Sequence, residues 1–129
     1  MTESIADSPV ISRELKEELL TDFHEEGMVI VHCTYDAEID GGIRIWRTTF
    51  LVDQVSGHRS PLHHAERITM APAWLPVPAG MRHTFTLIFG PLPGSCTVFD
   101  LVEEIPEPGG FFVPEIRRNQ EDVYRVKVV

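Results

Sequence analysis

Six histidines, His24, His32, His58, His63, His64 and His83, are the first side chains in this sequence that could do chemistry. Imidazoles hold zinc or iron when three or more nitrogen, oxygen or sulfur donors converge on one point. His58, His63, His64 and Glu66 lie close in sequence, and His83 can join them if the chain folds back. Adjacent His63 and His64 point to opposite faces of a strand, so one strand cannot offer both. Neither H-x-H nor H-E-x-x-H occurs. A metal-dependent enzyme built on His58, His63, Glu66 and His83 is therefore an alternative reading. Loop histidines bonded to solvent or backbone are the plainer one.

Asp36-Ala-Glu38-Ile-Asp40-Gly41-Gly42-Ile43 copies the start of a calcium loop, with acids at loop positions one, three and five and glycine at six. Position twelve should be a bidentate glutamate, but Arg47 stands there and repels the ion. The flanks read as strands, where calcium loops of this type need helices. An acidic hairpin turn accounts for the same residues.

For nucleophilic catalysis there is no Gly-x-Ser-x-Gly elbow, and nothing places a base beside Ser60, Ser95 or Cys96. Asp100 and Glu104 share a strand face, which is the only support for a carboxylate pair with Glu103 nearby. A solvated strand end explains them as well. No glycine-rich phosphate loop is present, since Gly109-Gly110 is too short. No catalytic residue is assigned and no cofactor is expected.

The remaining candidate is a surface for recognition. Trp74 stands in Ala71–Gly80, a stretch with Pro72, Pro76 and Pro78. Proline stiffens such a loop, and a pre-ordered aromatic ring is a good contact anchor. Phe111 and Phe112 are neighbours, so on a strand one must leave the core face, and Phe112 joins Trp74 as a binding candidate. The competing expectation is that Trp74 folds back as a cap on the core.

The totals bound what can position these residues. A chain of 129 residues with 43% hydrophobic content is one domain with a core of its own. The net charge of -9 argues against nucleic acid and against an anionic membrane surface. Nine arginines stand against Lys16 and Lys127, which fits either genome composition or a salty habitat. The cysteines, Cys33 and Cys96, form no C-x-x-C motif and read as small hydrophobes, with a disulfide between them left open. No apolar run approaches the roughly 18 residues of a membrane helix. The acidic N-terminus is not a signal peptide, which points to the cytoplasm, or to export if a signal was removed.

Along the chain, residues 1–9 read as a flexible leader and 10–129 as one domain. Residues 11–23 suit a short helix by propensity or a strand by alternation. Met28 to Tyr35 is apolar on both faces and reads as a central strand. Ile43 to Val52 reads as one strand, with Ile43, Ile45 and Arg47 on one side and Arg44, Trp46 and Thr48 on the other. Asp53 to Gly57 is a turn, His58 to Leu62 pairs back, and Glu66 to Met70 is a short strand. Ala71 to Gly80 is an extended loop or an irregular edge. His83 to Glu104 reads as a hairpin whose Gly90-Pro-Leu-Pro-Gly94 turn cannot continue a ladder. Phe111 to Arg118 and Val123 to Val129 close the chain, the latter with one wet face and an edge that can pair with a second copy.

Ile43-Arg-Ile-Trp-Arg-Thr-Thr-Phe-Leu-Val-Asp-Gln-Val-Ser-Gly57 resembles the strand and D-x-x-x-G turn of bacterial immunoglobulin-like domains of unknown function. Pro78-Ala-Gly80, Phe85 to Pro93 and Phe99-Asp100 fit the same pattern. The resemblance covers roughly residues 28–112. It implies a β-sandwich, favours strand over helix for 11–23, and implies an exported or envelope setting, in some cases beside a thioredoxin-like domain. It brings no catalytic residues with it.

These readings combine into an all-β, immunoglobulin-like sandwich of about seven to eight strands. Its expected core is Val31, Cys33, Ile45, Phe50, Phe85, Leu87, Phe89, Phe99 and Leu101. Its expected function is a non-catalytic module that binds a protein, peptide or glycan through Trp74 and nearby loops. A metal-dependent enzyme and a purely structural accessory domain are the other two readings.

Overall fold

The computed structural model describes residues 27–128. The leader at 1–9, the helix-or-strand segment 11–23 and His24 lie outside the described residues. Among those described there is no helix, and hence none long and apolar enough to cross a membrane.

The described residues form nine strands: β1 Val29–Asp36, β2 Gly41–Ile43, β3 Thr49–Asp53, β4 Arg59–Glu66, β5 Leu75–Val77, β6 Arg82–Phe89, β7 Val98–Glu103, β8 Phe112–Arg117 and β9 Val123–Val128. Seven make one mixed sheet in the order β8-β7-β3-β4-β6-β1-β9, and β2 pairs with β5 in a small second sheet. Only the β1–β9 pair in the large sheet is parallel. The edge strands β8 and β9 come into contact, so the large sheet curls back into a near-barrel.

Period-two alternation places the core. Val29, Val31 and Cys33 of β1, Phe85, Leu87 and Phe89 of β6, and Phe99 and Leu101 of β7 point inward and are buried together. Ile43, Ile45 and Val77 close that core from the small-sheet side. Each such side chain stabilises the fold by about 1.5–3 kcal/mol when fully removed from water. All nine expected core residues are buried. Phe50 is buried differently, because it faces away from the inner cluster and lies under the Arg59 guanidinium, 4.3 Å from ring centroid to Cζ.

Several pairings differ from the sequence reading. β6 and β7 are strands, but they are not a hairpin: β3 and β4 lie between them. The proline-rich connection 90–97 crosses from one to the other. The true hairpin is β3–β4, whose turn is tied by Asp53. One carboxylate oxygen accepts the Val55 N–H at 3.1 Å and the other the Ser56 hydroxyl at 2.6 Å. Gly57 supplies the positive φ of 77° that ends the turn. Those hydrogen bonds hold the Asp53 carboxyl below its ordinary range.

The strand expected from Ile43 to Val52 is broken. β2 ends at Ile43, Ile45 forms a parallel bridge to Met70, and β3 starts at Thr49. The break has side-chain causes: the Thr49 hydroxyl donates to the Trp46 carbonyl at 2.6 Å, and Glu103 takes the Trp46 N–H at 3.0 Å. The strand expected at Glu66 to Met70 reduces to the end of β4 and that one bridge. Of the two forms expected for 71–80, an extended loop or an irregular edge, the segment holds the short strand β5, with Pro76 at a position facing Gly42.

The closing turn is also held by side chains. Arg118 makes a bidentate pair with Asp122, at 2.7 and 3.0 Å, and its Nη1 donates to the Pro93 carbonyl at 2.7 Å. The Tyr124 hydroxyl donates to Asp122 at 2.8 Å and accepts the Asn119 N–H at 3.1 Å. Burial pushes the Tyr124 phenol up to about 12.

Candidate functional site

A pocket of about 240 Å³ opens between the small sheet and the segment 103–111. It is built from the local rule that broke the strand. Ile43 and Ile45 are buried, so Arg44 and Trp46 face the other way. Arg44 is held from three sides. Its Nη1 donates to the Pro72 carbonyl at 2.8 Å, its Nη2 lies 3.8 Å from the Glu107 carboxylate, and its Cζ stands 3.8 Å from the centre of the Trp74 ring. The Trp46 ring centre is 5.6 Å away on another side. The Arg44 side chain is only 14% exposed, whereas Trp74 is 57% exposed. Trp74 therefore lies across the guanidinium and shows its remaining surface to solvent.

Gly42 makes room for this packing. A Cβ there would stand 3.0 Å from the Leu75 carbonyl oxygen and 3.4 Å from Cε3 of Trp74. The proline-rich loop is thus laid closely over β2, and the ring is positioned by packing and by Arg44 together.

Glu103 forms the floor. It continues the inward phase of Phe99 and Leu101, and it is buried. Its Oε2 accepts the Trp46 N–H and its Oε1 accepts the Phe111 N–H, each at 3.0 Å. One carboxylate thereby fastens both walls of the pocket. Burial lifts this carboxyl above its ordinary range, while the two backbone donors and the Arg44 charge pull the other way without cancelling the effect. Gly110 allows the close approach: a Cβ there would fall 2.2 Å from the Glu103 carbonyl oxygen. Tyr35 and Phe111 complete the aromatic lining.

The sequence-derived candidates are distributed as follows. Trp74 is in the pocket and does not cap the core. Phe112 is 56% exposed on β8 and does not line the pocket, whereas its neighbour Phe111 is buried and does. His83 sits beside Arg67, its Nε2 donating to that carbonyl at 2.6 Å. His64 bonds to Glu66. His63 and His64 are both exposed, because a bulge between Leu62 and His64 interrupts their alternation. His63 lies over Gly90 instead, and His58 is exposed in the turn before β4. Among the described residues no group of three or more His, Cys, Asp or Glu side chains gathers as a metal ion requires.

In the calcium-like loop, Asp36 pairs with Arg82 at 2.7 Å and Lys127 at 3.1 Å, and Asp40 accepts the Ala79 N–H at 2.8 Å. Those carboxylates are engaged by protein groups. Ser60 donates to the Pro91 carbonyl. Cys33 and Cys96 are free, buried thiols whose pKa values burial raises, the opposite of an activated nucleophile.

Arg44 and Trp46 were not singled out from the sequence as site residues, and Glu103 was weighed only with Asp100 and Glu104 as a carboxylate pair or a solvated strand end. The signals were present: Arg44 and Trp46 alternate with Ile43 and Ile45, and Glu103 falls on the inward phase of Phe99 and Leu101. A carboxylate on an inward phase needs internal partners, and it finds them here.

No protein-family model matches the chain, and no significant match is found among curated proteins or among solved structures.

Proposed function

We propose that this domain is a non-catalytic binding module whose recognition site is the pocket under Trp74. The observation that carries the reading is the combination of a 57% exposed indole with a largely covered cation beneath it. A large aromatic ring held in place on a rigid scaffold loses little freedom on binding, so its contact area converts efficiently into affinity. The pocket offers what small-ligand sites use: aromatic walls with a few placed polar groups. Glu103 supports this role as a positioning group, because both its oxygens are bonded to backbone that forms the walls. The immunoglobulin-like character of the scaffold belongs to the same proposal. Its support is an all-β core that carries the pocket on connecting segments, as binding sandwiches do.

The test is a comparison of the full chain with its Trp74→Ala variant on peptide and glycan arrays. Binding by the wild-type chain that disappears in the variant supports the reading. Binding unchanged in the variant contradicts it.

A further inference from the structure

We infer that the outer face of the large sheet, where β1 and β6 pair, is a docking surface whose occupant is residues 11–23 of the same chain. The inference is independent of the pocket under Trp74.

Strand parity sets two isoleucines on the outside. Val29, Val31 and Cys33 of β1 and Phe85, Leu87 and Phe89 of β6 point into the core, so Ile30 and His32, and Thr84, Thr86 and Ile88, point outward. Ile30 and Ile88 are direct partners across the two strands. Neither belongs to the inner cluster, yet Ile30 is 2% exposed and Ile88 0%. Thr86 beside them is buried as well. The outward His32 ring bonds to the Thr86 hydroxyl through Nδ1 at 2.8 Å, and its Nε2 atom is also shut off from solvent. Thr84, the next outward residue of β6, is exposed, so the cover ends between Thr86 and Thr84.

The described elements that pack on this sheet do so from within. The small sheet sends Ile43 and Val77 into the inner cluster, and the connections 90–97 and 103–111 send Leu92, Cys96 and Phe111 there. On the outer face Val123 and His64 stand beside the two isoleucines, the His64 side chain 44% exposed. Side chains on the outside of a curled sheet splay apart, so these flanking groups do not by themselves shut an isoleucine off from water.

Position and composition identify the cover. The covered residues lie at the end of the face where β1 begins, and the described chain starts at Gly27, three residues before Ile30. The stretch that leads into Gly27 carries Ile11, Leu15, Leu19 and Phe23 at every fourth position, an apolar stripe to set against Ile30 and Ile88. Charge agrees. Between residues 14 and 26 six acidic residues stand against Lys16 alone. The rim of the face is basic, with Arg125 exposed on β9 and Arg67 donating through Nη1 to the outward Thr84 hydroxyl at 3.1 Å. An acidic segment with an apolar stripe matches an apolar strip with a basic rim.

The experiment is methyl NMR on the full chain. The expected result is nuclear Overhauser contacts from the Ile30 and Ile88 methyl groups to the side chains of Leu15, Leu19 or Phe23. Leu19→Asp should remove those contacts and move both isoleucine methyl signals. Thr21→Asp, which adds the same charge off the apolar stripe, should leave them in place. If Leu19→Asp does not fold, the wild-type contacts decide. Contacts from Ile30 and Ile88 to residues 27–128 alone overturn the inference. So do contacts that appear only between differently labelled copies in a mixed sample, which make a second chain the occupant. Equal effects of Leu19→Asp and Thr21→Asp on the two methyl signals overturn it as well.

Discussion

The Arg44 guanidinium lies beneath the Trp74 ring, 3.8 Å from its centre, and it is the ring that faces solvent. Stacking of this kind stabilises by about 0.5–2 kcal/mol, depending on how dry the pair is. The indole contributes little to the core. Trp74→Ala is therefore expected to lower stability by about 1 kcal/mol while removing the binding surface. Urea unfolding checks this through the midpoint at unchanged slope. A loss of 3 kcal/mol or more, the range of a buried Trp truncation, would place the ring in the core.

Glu103 is expected to matter more for stability than for charge. Glu103→Ala leaves the buried-side donors of Trp46 and Phe111 without their acceptor, at about 1–3 kcal/mol each. A total of about 2–6 kcal/mol is expected, with Glu103→Gln nearer 1–3 kcal/mol because it keeps one acceptor. The pH dependence has a definite sign. The folded carboxyl is raised above its unfolded value, so its contribution is full in acid and falls as pH rises through the raised value. Wild type compared with Glu103→Gln should accordingly lose relative stability from about pH 4 upward. Paired urea titrations across pH 3.5–8 read the difference directly, and a difference that grows with pH in wild type's favour would contradict it.

Gly110→Ala forces a Cβ into the Glu103 carbonyl, 2.2 Å away. Backbone meets backbone there, so no side-chain rotation relieves the clash. The expected cost is about 1–3 kcal/mol. The variant should also disturb the amide resonances of Trp46 and Phe111, which the same glutamate holds.

Asp36 behaves in the opposite sense to Glu103. Hydrogen bonds from Arg82 and Lys127 hold its carboxyl down at about 2. A depressed folded pKa adds stability above the unfolded value, and that stability is lost as pH falls toward 2. Asp36→Asn should be less stable than wild type at pH 6, and the difference should shrink as pH falls from about 4 through 2. Because the groups are partly exposed, 1 M salt should shrink the difference at pH 6.

The faces of the strands were legible in the sequence, and their partners were not. Period two sorted Ile43 and Ile45 from Arg44 and Trp46, and it sorted Tyr124 and Val128 from Arg125 and Lys127. The Asp53–Gly57 turn was legible because its residues bond to each other. Strand pairing depends on distant residues: Leu51 is placed between Ser60 and Leu101 by contacts that no local pattern records. The proline-rich segment after Phe89 marked a reversal but not its span, so β6 and β7 read as neighbours. The site was half legible. Trp74 stood out by loop composition, whereas Glu103 was grouped with Asp100 and Glu104 as one acidic strand end, although it alone of the three is buried.

The claim that the pocket under Trp74 is where this domain binds is tested most directly by mapping amide and indole shifts. The chain has two tryptophans, so two indole N–H signals report on the site. Titration with a ligand that the peptide or glycan arrays identify should move both indole signals and the backbone amides of Gly42 and Phe111 most strongly. Largest shifts instead around the Val55 turn, or along β8 near Phe112, with the indole signals unmoved, would contradict the account.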